Sequence, residues 1–396
     1  MSAGGTASVE DAPHDAHGPD HRDAGSPAAT DATDAPDPRW HVVGAGPVAL
    51  AFALFLVRRG VPASTIALDP PPDADAPVPP ALAARTLAIS QGTTQLLERI
   101  AAMPAAGRIE RVEVSLRGHA GRTRIVATDL GMPALGYVMR YGPLTRALRL
   151  AARAHRWASP PAAGTPVALV VHAEGDAGDD ADTREFDQCA LLGEVGAPRA
   201  PSTLHGTAFE RFTPDGPLAL LPLPEPGRWT LVWCDRPERC EARRNTDLPA
   251  LSAALQQRFG DALGPLQVDG PLAVAPLARR ARRALSATGE AWIGNAAQSL
   301  HPVAGQGLNL GLRDAFELAD ALAPVHLRGV PLPQALERWA RGRRLDRTVT
   351  IALTDLMAAS FTWPLARPLQ SPVLAALDAI APLRRPLALH LMFGHR

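Results

Sequence analysis

The sequence predicts an α/β fold in which a nucleotide-binding domain is interrupted by an antiparallel β-sheet domain. A strand, a glycine turn, a helix and a second strand are expected between residues 40 and 69. Short apolar runs typical of antiparallel strands follow between residues 186 and 285, and a strand, a glycine-rich loop and a helix return between residues 291 and 322. A β-rich segment between two parts of an α/β pattern indicates one domain inserted into another.

The first unit is predicted from apolar runs and their boundaries. Trp40–Val43 is expected to be a short buried strand and Pro47–Arg59 a helix. Proline fits the first helical turn, where its missing N–H costs nothing, and Gly60 fits the position just after the helix. A second strand is expected at Thr65–Leu68, ending at Asp69. The four elements together form a β-turn-α-β unit.

The turn of this unit carries a G-x-G-x-x-A pattern at residues 44–49. Gly44 permits the tight turn, Gly46 lets a pyrophosphate approach the backbone, and Ala49 allows close packing of helix on strand. The helix N-terminus offers free N–H groups to phosphates. Asp69, at the end of the second strand, is placed to accept ribose hydroxyls. The spacing therefore predicts a dinucleotide site.

The remaining elements follow from apolar patterning. Alternation over residues 108–126 predicts paired strands and residues 144–155 a helix, whereas residues 159–184 look irregular apart from the apolar run 167–171. Four further strands and one helix are expected, at 189–195 (CALLGEV), 207–213 (TAFERFT), 218–223 (LALLPL), 228–234 (RWTLVWC) and 251–259. From residue 331 onward the chain is expected to be mostly helical.

Composition excludes several classes of function. Forty arginines balance forty acidic residues, so the formal charge of zero gives no reason to expect a nucleic-acid partner. The chain has no lysine, which excludes a lysine Schiff base and a Walker-type phosphate loop. The first 38 residues have almost no large apolar side chain and predict a disordered tail, with metal binding by its three histidines as the less favoured alternative.

The cysteines and the apolar runs bear on cellular location. Cys189, Cys234 and Cys240 are odd in number and contain no C-x-x-C pair, so neither a disulfide framework nor a zinc site is expected, and a reducing compartment fits. Residues 1–30 lack the apolar core of a signal peptide, and the run 49–57 is too short to span a bilayer. A cytoplasmic protein is therefore expected.

A second motif, GNAAQSLHPVAGQGLNLGLRD, occupies residues 294–314. Its glycines and a proline precede a predicted helix, so backbone amides could line a flat ligand while the helix N-terminus faces developing negative charge. Such a long and unusual loop points to a binding site rather than to an ordinary turn.

The two motifs resemble those of the FAD-dependent aromatic hydroxylases of ubiquinone biosynthesis, of the 2-polyprenyl-6-methoxyphenol hydroxylase type. The quoted stretches are GAGPVAL at the start and GNAAQSLHPVAGQGLNLGLRDA near the end. Six shorter stretches are also similar: RTLAIS (85–90), RGHAG (117–121), ALGYV (134–138), TAFERFTPDGPLALLPL (207–223), LVWC (231–234) and RRLDR (343–347). The resemblance extends over nearly all of the chain after residue 39.

The resemblance implies a group A flavin monooxygenase: a Rossmann-like FAD-binding domain interrupted by an antiparallel β-sheet substrate domain, with C-terminal helices. It implies that NAD(P)H reduces FAD and that O2 then yields a flavin hydroperoxide, which hydroxylates the ring of a polyprenylated phenol. The implied FAD-binding domain comprises residues 39–105, 141–185 and 286–340. The sheet domain would comprise 106–140 and 186–285, between a tail (1–38) and a helical segment (341–396).

The resemblance also assigns cofactor-binding residues. The ADP half would lie against Gly44, Gly46, Ala49 and Asp69, Asn295 would reach the ribityl and pyrophosphate region, and Arg85 would lie near the flavin. The isoalloxazine would lie along Pro302, Gly305, Gln306 and Gly307. The helix from Leu308, with Asn309 also assigned to the cofactor, would stabilise negative charge at the pyrimidine edge of the ring. No catalytic residue and no metal ligand is assigned, and no general base for a phenol can be named.

Two positions depart from the family's pattern. Asn295 stands where the family's first choice is Asp, and an amide can still hydrogen-bond to hydroxyls. The family's second motif, Asp-Gly, has only Glu174-Gly175 as a counterpart. The segment 157–171 leading to it is shorter and richer in Pro, which raises the alternative that strands flanking the FAD are missing and that FAD binding or reduction is impaired.

Other candidate residues are interpreted as structural. His301 is either near the flavin or a loop histidine held by backbone groups, whereas Arg343, Asp346 and Arg347 are expected to form ion pairs. Cys234 is expected to pack on a strand.

Alternative functions and partners stay open. One is a non-catalytic scaffold in a quinone-synthesis complex, and another is a hydroxylase of a soluble aromatic, which predicts a small polar pocket. A polyprenylated substrate predicts a hydrophobic groove instead. Other quinone-biosynthesis proteins are candidate partners. The segment 361–396 favours helices packed on the nucleotide domain over peripheral contact with the inner face of a membrane.

Overall fold

The computed structural model describes residues 40–83, 85–118, 121–362, 372, 376 and 378–394. The predicted tail (1–38) lies outside them, as does much of the segment 363–377. Among the described helices none has the length and apolar character needed to cross a bilayer.

The elements of secondary structure are numbered here in chain order. The strands are β1 (Trp40–Val43), β2 (Ile66–Asp69), β3 (Thr86–Ser90), β4 (Gly107–Ile109), β5 (Arg111–Leu116), β6 (Arg122–Val126), β7 (Gly136–Arg140), β8 (Leu169–His172), β9 (Ala181–Gly196), β10 (Thr207–Thr213), β11 (Gly216–Pro222), β12 (Arg228–Asp235), β13 (Gln267–Arg282), β14 (Ser286–Ala287), β15 (Glu290–Trp292) and β16 (Gln298–Ser299). The helices are α1 (Pro47–Arg58), α2 (Pro80–Ala83), α3 (Gln91–Leu97), α4 (Tyr141–Arg153), α5 (Pro237–Arg244), α6 (Leu248–Phe259), α7 (Gln306–Arg328), α8 (Leu332–Thr362) and α9 (Ala381–Phe393).

The first sheet has the order β14-β15-β8-β1-β2, and β1 pairs in parallel with both β2 and β8. The predicted unit β1-α1-β2 is confirmed, with its second strand beginning at Ile66 because a short 3₁₀ turn occupies Ala63–Thr65. The segment 157–171 leads into β8, which lies beside β1, so this flanking strand is present. Its four residues suffice because Leu169 and Val171 are fully buried in the core.

The second sheet has eight strands in the order β16-β13-β9-β12-β11-β10-β5-β6. The four strands and the helix predicted between residues 186 and 285 are confirmed, as is the pairing of β5 with β6. The sheet is antiparallel except where β10 runs parallel to β5. Strands β3, β7 and β4 form a third, small antiparallel sheet.

Several elements were not predicted from the sequence, among them strands β3, β7 and β13 and helices α2, α3 and α5. Strand β13 contains Gly270, Pro271 and Pro276, which conceal the alternation, and its pairing with β9 is interrupted by two register shifts. Strand β9 begins at Ala181, inside the segment expected to be irregular, and α5 is also absent from the prediction.

The expectation that no disulfide forms is wrong, because Cys189 and Cys240 are bonded. Cys189 lies on β9 and Cys240 on α5, which packs against that strand, so residues far apart in sequence come together. An odd number of cysteines requires only that one stay unpaired. Cys234 is that residue, buried on β12.

The C-terminal helices cover both earlier parts of the fold. Helix α7 is longer than the expected 308–322 and packs on α1 and α8. Helix α9 packs back onto α3 and β3, where the Ser90 hydroxyl donates to the carbonyl oxygen of Met392. The helical character expected after residue 331 is confirmed for α8 and α9.

Candidate FAD and substrate site

Three predicted residues meet at the carboxyl edge of the parallel sheet. Gly44 follows β1 with φ +128°, and its N–H donates to the carbonyl oxygen of Asp69, 2.7 Å away. A Cβ at Gly44 would lie 2.5 Å from the carbonyl oxygen of Ala173, so only glycine fits against the chain that leaves β8. Glu174 follows directly. Open α/β sheets bind ligands at this edge, outside the carboxyl ends of their strands.

The N-terminus of α1 is free to receive an anion. Gly46 occupies the N-cap position and provides no side-chain cap, and Pro47 occupies the first turn. Ala49 is fully buried, as close packing of the helix requires. The carboxyl group of Asp69 is half exposed and lies 3.5 Å from the Nε2 atom of His41. Uncapped N–H groups and an open carboxylate suit a pyrophosphate and a ribose.

The second motif packs against the first. Gly294 has φ +62°, and a Cβ there would lie 3.0 Å from the Cγ1 atom of Val48 in the first turn of α1. A Cβ on Gly311 of α7 would lie 2.7 Å from the Cα atom of Gly294. These approaches place Asn295, which is exposed, beside the start of α1. The two motifs, 250 positions apart from Gly44 to Gly294, therefore meet.

The loop before α7 forms a second uncapped helix N-terminus. Gly305 is the N-cap residue, with φ +60° and no side-chain cap. A Cβ on Gly307 would meet no atom within 4 Å, so open space faces this turn. Pro302 and Gln306 line the cavity described below, whereas Leu308 packs against the core. This turn offers backbone amides to a flat, electron-rich ring.

Two further predicted residues, Asn309 and Arg85, lie next to strand β3. The amide of Asn309 is fully used in the protein: Oδ1 accepts from the Ser90 N–H, and Nδ2 donates to the carbonyl oxygens of Ala88 and Gly305. Asn309 thus fixes β3 to the start of α7. Arg85 is exposed and precedes β3, and its carbonyl oxygen accepts from the N–H of Tyr141.

Glu174 pairs with a neighbouring histidine. Its carboxylate lies 3.1 Å from the Nδ1 atom of His172, whose ring stacks on Trp292. The residue lies at the sheet edge beside Gly44, where the family's Asp-Gly motif is expected. The site as a whole fits FAD, since it has a glycine against which no Cβ fits, two uncapped helix N-termini and a half-exposed acid at one edge.

A cavity of about 570 Å³ adjoins the loop before α7. The eight-stranded sheet forms one wall, α8 and α9 form another, and Pro302, Gly305, Gln306 and Asn309 close one side. The wall residues are mostly Ile, Val, Leu, Ala, Met and Phe. The hydrophobic groove expected for a lipophilic substrate is thus present beside the predicted flavin position.

The sequence analysis missed two polar residues in this cavity. Glu210 on β10 and Thr123 on β6 both line it. Burial raises the pKa of the Glu210 carboxyl to about 7. The Thr123 hydroxyl is buried and has no hydrogen-bond partner among the described residues. The signal in the sequence was the acid inside the apolar run TAFERFT, at an alternate position with Ala208 and Phe212.

His301 is a buried neutral histidine. Its Nδ1 atom accepts from the Val303 N–H, and its Nε2 atom lies 3.3 Å from Oε1 of Gln188. Burial lowers the pKa of the imidazole to about 4. Of the two interpretations, the structure supports the loop histidine held by its neighbours.

The expected ion pairs form, within a buried cluster between α7 and α8. Arg343 bonds to Asp314 and Asp346 at 2.8 Å each. Arg347 instead donates a hydrogen bond to the side-chain oxygen of Gln298, which is an amide rather than the expected carboxylate. The cluster fixes α8 to the helix whose first turn lines the cavity.

Burial raises the pKa of Cys234, which makes that thiol a poor nucleophile.

Comparisons with known proteins agree with this geometry. Residues 188–349 match the model of an FAD binding domain. The chain is 29% identical over 356 residues to the 3-demethoxyubiquinol 3-hydroxylase of Escherichia coli, covering 81% of this chain and 89% of that protein. It is 33% identical over 238 residues to the ubiquinone hydroxylase UbiL of Rhodospirillum rubrum, covering 57% of this chain and 54% of that protein.

Solved structures share the fold. The p-nitrophenol 4-monooxygenase PnpA of Pseudomonas putida superposes with a TM-score of 0.64 at 18% identity, over 91% of this chain and 99% of that one. PqsL of Pseudomonas aeruginosa, a probable FAD-dependent monooxygenase, gives a TM-score of 0.69 at 17% identity, over 86% of this chain and 99% of that one. The chain is therefore similar in sequence to FAD-dependent hydroxylases of ubiquinone biosynthesis, and it shares its fold with FAD-dependent monooxygenases.

Proposed function

We propose that this protein hydroxylates the aromatic ring of a polyprenylated phenol in ubiquinone biosynthesis, using NAD(P)H and O2. The observation that carries the proposal is the large apolar cavity that shares its boundary with the loop before α7. A ring placed against that loop would leave its apolar tail along the sheet and α8, where burial of each methylene contributes about 0.8 kcal/mol to binding.

The proposed roles of the cofactor-binding residues follow from their positions. Gly44, Gly46 and Ala49 would bind the pyrophosphate at the start of α1, Asp69 the ribose, and Asn295 the ribityl chain. Residues 302–307 would lie along the isoalloxazine ring. Bound FAD, once reduced, supplies the activation of O2 for transfer of one oxygen atom. The chain contributes by orienting the ring, excluding water and presenting the N-terminus of α7 to negative charge.

The lining of the cavity discriminates between the alternatives. A hydroxylase of a small soluble aromatic predicts a small polar pocket, and this cavity is large and apolar. A scaffold that binds no cofactor would not require a glycine at position 44, where a Cβ does not fit. Nor would it require the uncapped helix N-terminus at Gly305. We also propose the domain division at residues 39–105, 141–185 and 286–340 for FAD, with the sheet domain between.

Turnover on a series of phenols with zero to several isoprene units tests the proposal. We expect purified protein to retain FAD and to form hydroxylated product, with kcat/KM rising with tail length until the cavity is filled. Ala219→Phe, which narrows the sheet wall of the cavity, should raise KM for the long substrates and leave NAD(P)H oxidation without substrate unchanged. Bound FAD without product from any prenylated phenol would contradict the proposal.

We further propose that the protein reaches its lipophilic substrate at a membrane surface. Leu345, Val349 and Leu356 are exposed on one side of α8, and Leu356 also lines the cavity. An apolar stripe that continues into a cavity is suited to passing a lipid tail from a bilayer. We expect the protein to co-float with liposomes and the Leu345→Ser/Leu356→Ser variant to do so less. Failure of the unaltered protein to co-float would refute this extension.

A further inference from the structure

We propose that Glu210 is the catalytic residue that binds the ring hydroxyl of the phenol and accepts its proton. The inference rests on the proposed function, since it names the group that acts on the substrate in the same cavity. Three features carry it: the direction of the side chain, the lack of a partner for its carboxyl group in the described part of the chain, and the position of the cavity beside the loop before α7.

The register of the sheet fixes the direction of the carboxyl group. Side chains alternate along β10, so Glu210 is on the same face of the sheet as Ala208 and Phe212, and all three line the cavity. Its direct neighbours across the sheet are Val114 on β5 and Ala219 on β11. Glu210 is thus a single acid in an apolar row of the wall.

The carboxyl group has no partner among the described residues. Of the other polar side chains at the cavity wall, Ser90 and Asn309 are already hydrogen-bonded within the protein, and Gln306 also has an interaction of its own. Along the described part of the lining, the thiol of Cys234 on β12 is the one other titratable group, and it contributes no positive charge. A half-buried acid without a countercharge in an apolar wall costs free energy, so its presence in this row points to a ligand.

A second unpaired polar atom lies in the same row. Thr123 pairs with Val114, which pairs with Glu210, so the threonine and the glutamate are two strands apart, about 10 Å between their backbones. The Thr123 hydroxyl is buried without a partner. Together they make this part of the wall suitable for an oxygenated ring, while the surrounding wall is suitable only for an apolar tail.

Glu210 acts as a general base on the phenol. The carboxylate of Glu210 takes the proton of the phenol O–H to become a carboxylic acid, and the O–H electron pair stays on oxygen as a phenolate. Phenolate donates more electron density to its ring carbons than phenol does, which favours attack by the ring on an electrophilic oxygen. After the oxygen atom is transferred, the ring C–H proton moves to the ring oxygen, so the product is neutral. The proton held by Glu210 passes to the oxygen that the donor keeps, and Glu210 is a carboxylate again. A carboxyl with a pKa of about 7 is closer to a phenol, near 10, than an ordinary glutamate is.

The test compares Glu210→Gln and Glu210→Asp with Thr123→Val. Wild-type kcat/KM should rise about tenfold per pH unit below pH 7 and level off above it, because only the carboxylate accepts a proton. Glu210→Gln should form product 10²- to 10⁴-fold more slowly at pH 8, as expected for loss of a general base. Its kcat/KM should no longer rise with pH below pH 7, and this rise is called the acidic limb of the profile. Glu210→Asp should keep part of the wild-type rate of product formation. Thr123→Val should bind the phenol more weakly but keep the acidic limb.

Two controls separate this inference from the proposed function. FAD content and NAD(P)H-driven reduction without substrate should be the same in all variants. Equilibrium dialysis with a prenylated phenol and its methyl ether needs no turnover. Wild type at pH 8 should prefer the phenol at least about tenfold, and Glu210→Gln should not. If wild type binds both equally, or if Glu210→Gln keeps its rate and its acidic limb, Glu210 does not have this role. Absence of hydroxylation with the dialysis preference intact would count against the proposed function only.

Discussion

Replacing Arg343 by Met is expected to lower the free energy of unfolding by about 3–5 kcal/mol, because the change breaks a buried ion pair. The guanidinium is 2% exposed and lies between Asp314, Asp346 and Glu317. Removing it leaves the carboxylates of Asp314 and Asp346 buried without their main countercharge. Urea unfolding followed by circular dichroism measures the loss.

Arg341 provides the matched control. It lies one turn or less from Arg343 on the same helix, and its ion pair with Glu337 is exposed. Because water and salt screen such a pair, Arg341→Met should change the free energy of unfolding by no more than about 0.5 kcal/mol. Equal losses in the two variants would show that the buried cluster does not hold α8 to α7.

The cluster also illustrates which contacts local sequence can predict. Arg343, Asp346 and Arg347 are neighbours on one helix, so an ion pair among them was visible in the sequence, and Arg343 does pair with Asp346. The bond from Arg343 to Asp314 joins two helices and depends on how α7 packs against α8. No spacing rule reports such a pairing.

The same distinction holds for the fold. The unit β1-α1-β2 was predictable because its turn residues and apolar runs are contiguous. Strand β13 was not, because its prolines and arginines hide a pattern that only pairing with β9 stabilises. The disulfide between Cys189 and Cys240 was missed for a similar reason, since α5, which carries Cys240, was itself unrecognised.

At the candidate site, the motifs located the glycine turns but not the substrate wall. Gly44 and Gly305 owe their roles to local backbone geometry, which the G-x-G spacing and the second motif reveal. Glu210 acquires its significance only when α8 and α9 cover the sheet and enclose its carboxyl group. Asn309 lies in the expected motif, yet its amide bonds to β3, a partner more than 200 residues away in sequence.

Gly44→Ala is expected to abolish stoichiometric FAD retention. A methyl group at this position would lie 2.5 Å from the carbonyl oxygen of Ala173, and φ +128° is itself unfavourable for alanine. The turn must therefore move away from β8, and the free N–H groups at the start of α1 move with it, away from the pyrophosphate. The flavin absorbance of the purified protein, and its recovery on titration with FAD, measure the effect.

Gly60→Ala separates this clash from backbone strain alone. Gly60 also has a positive φ, +90°, but a Cβ there would meet no atom within 4 Å, and it lies at the opposite end of α1 from Gly44. We expect a loss of about 1–2 kcal/mol in stability with FAD content unchanged. If Gly44→Ala also keeps its full flavin content, the turn after β1 does not hold the cofactor. If both variants lose flavin equally, the loss follows from general destabilisation rather than from the close approach of Gly44 to β8.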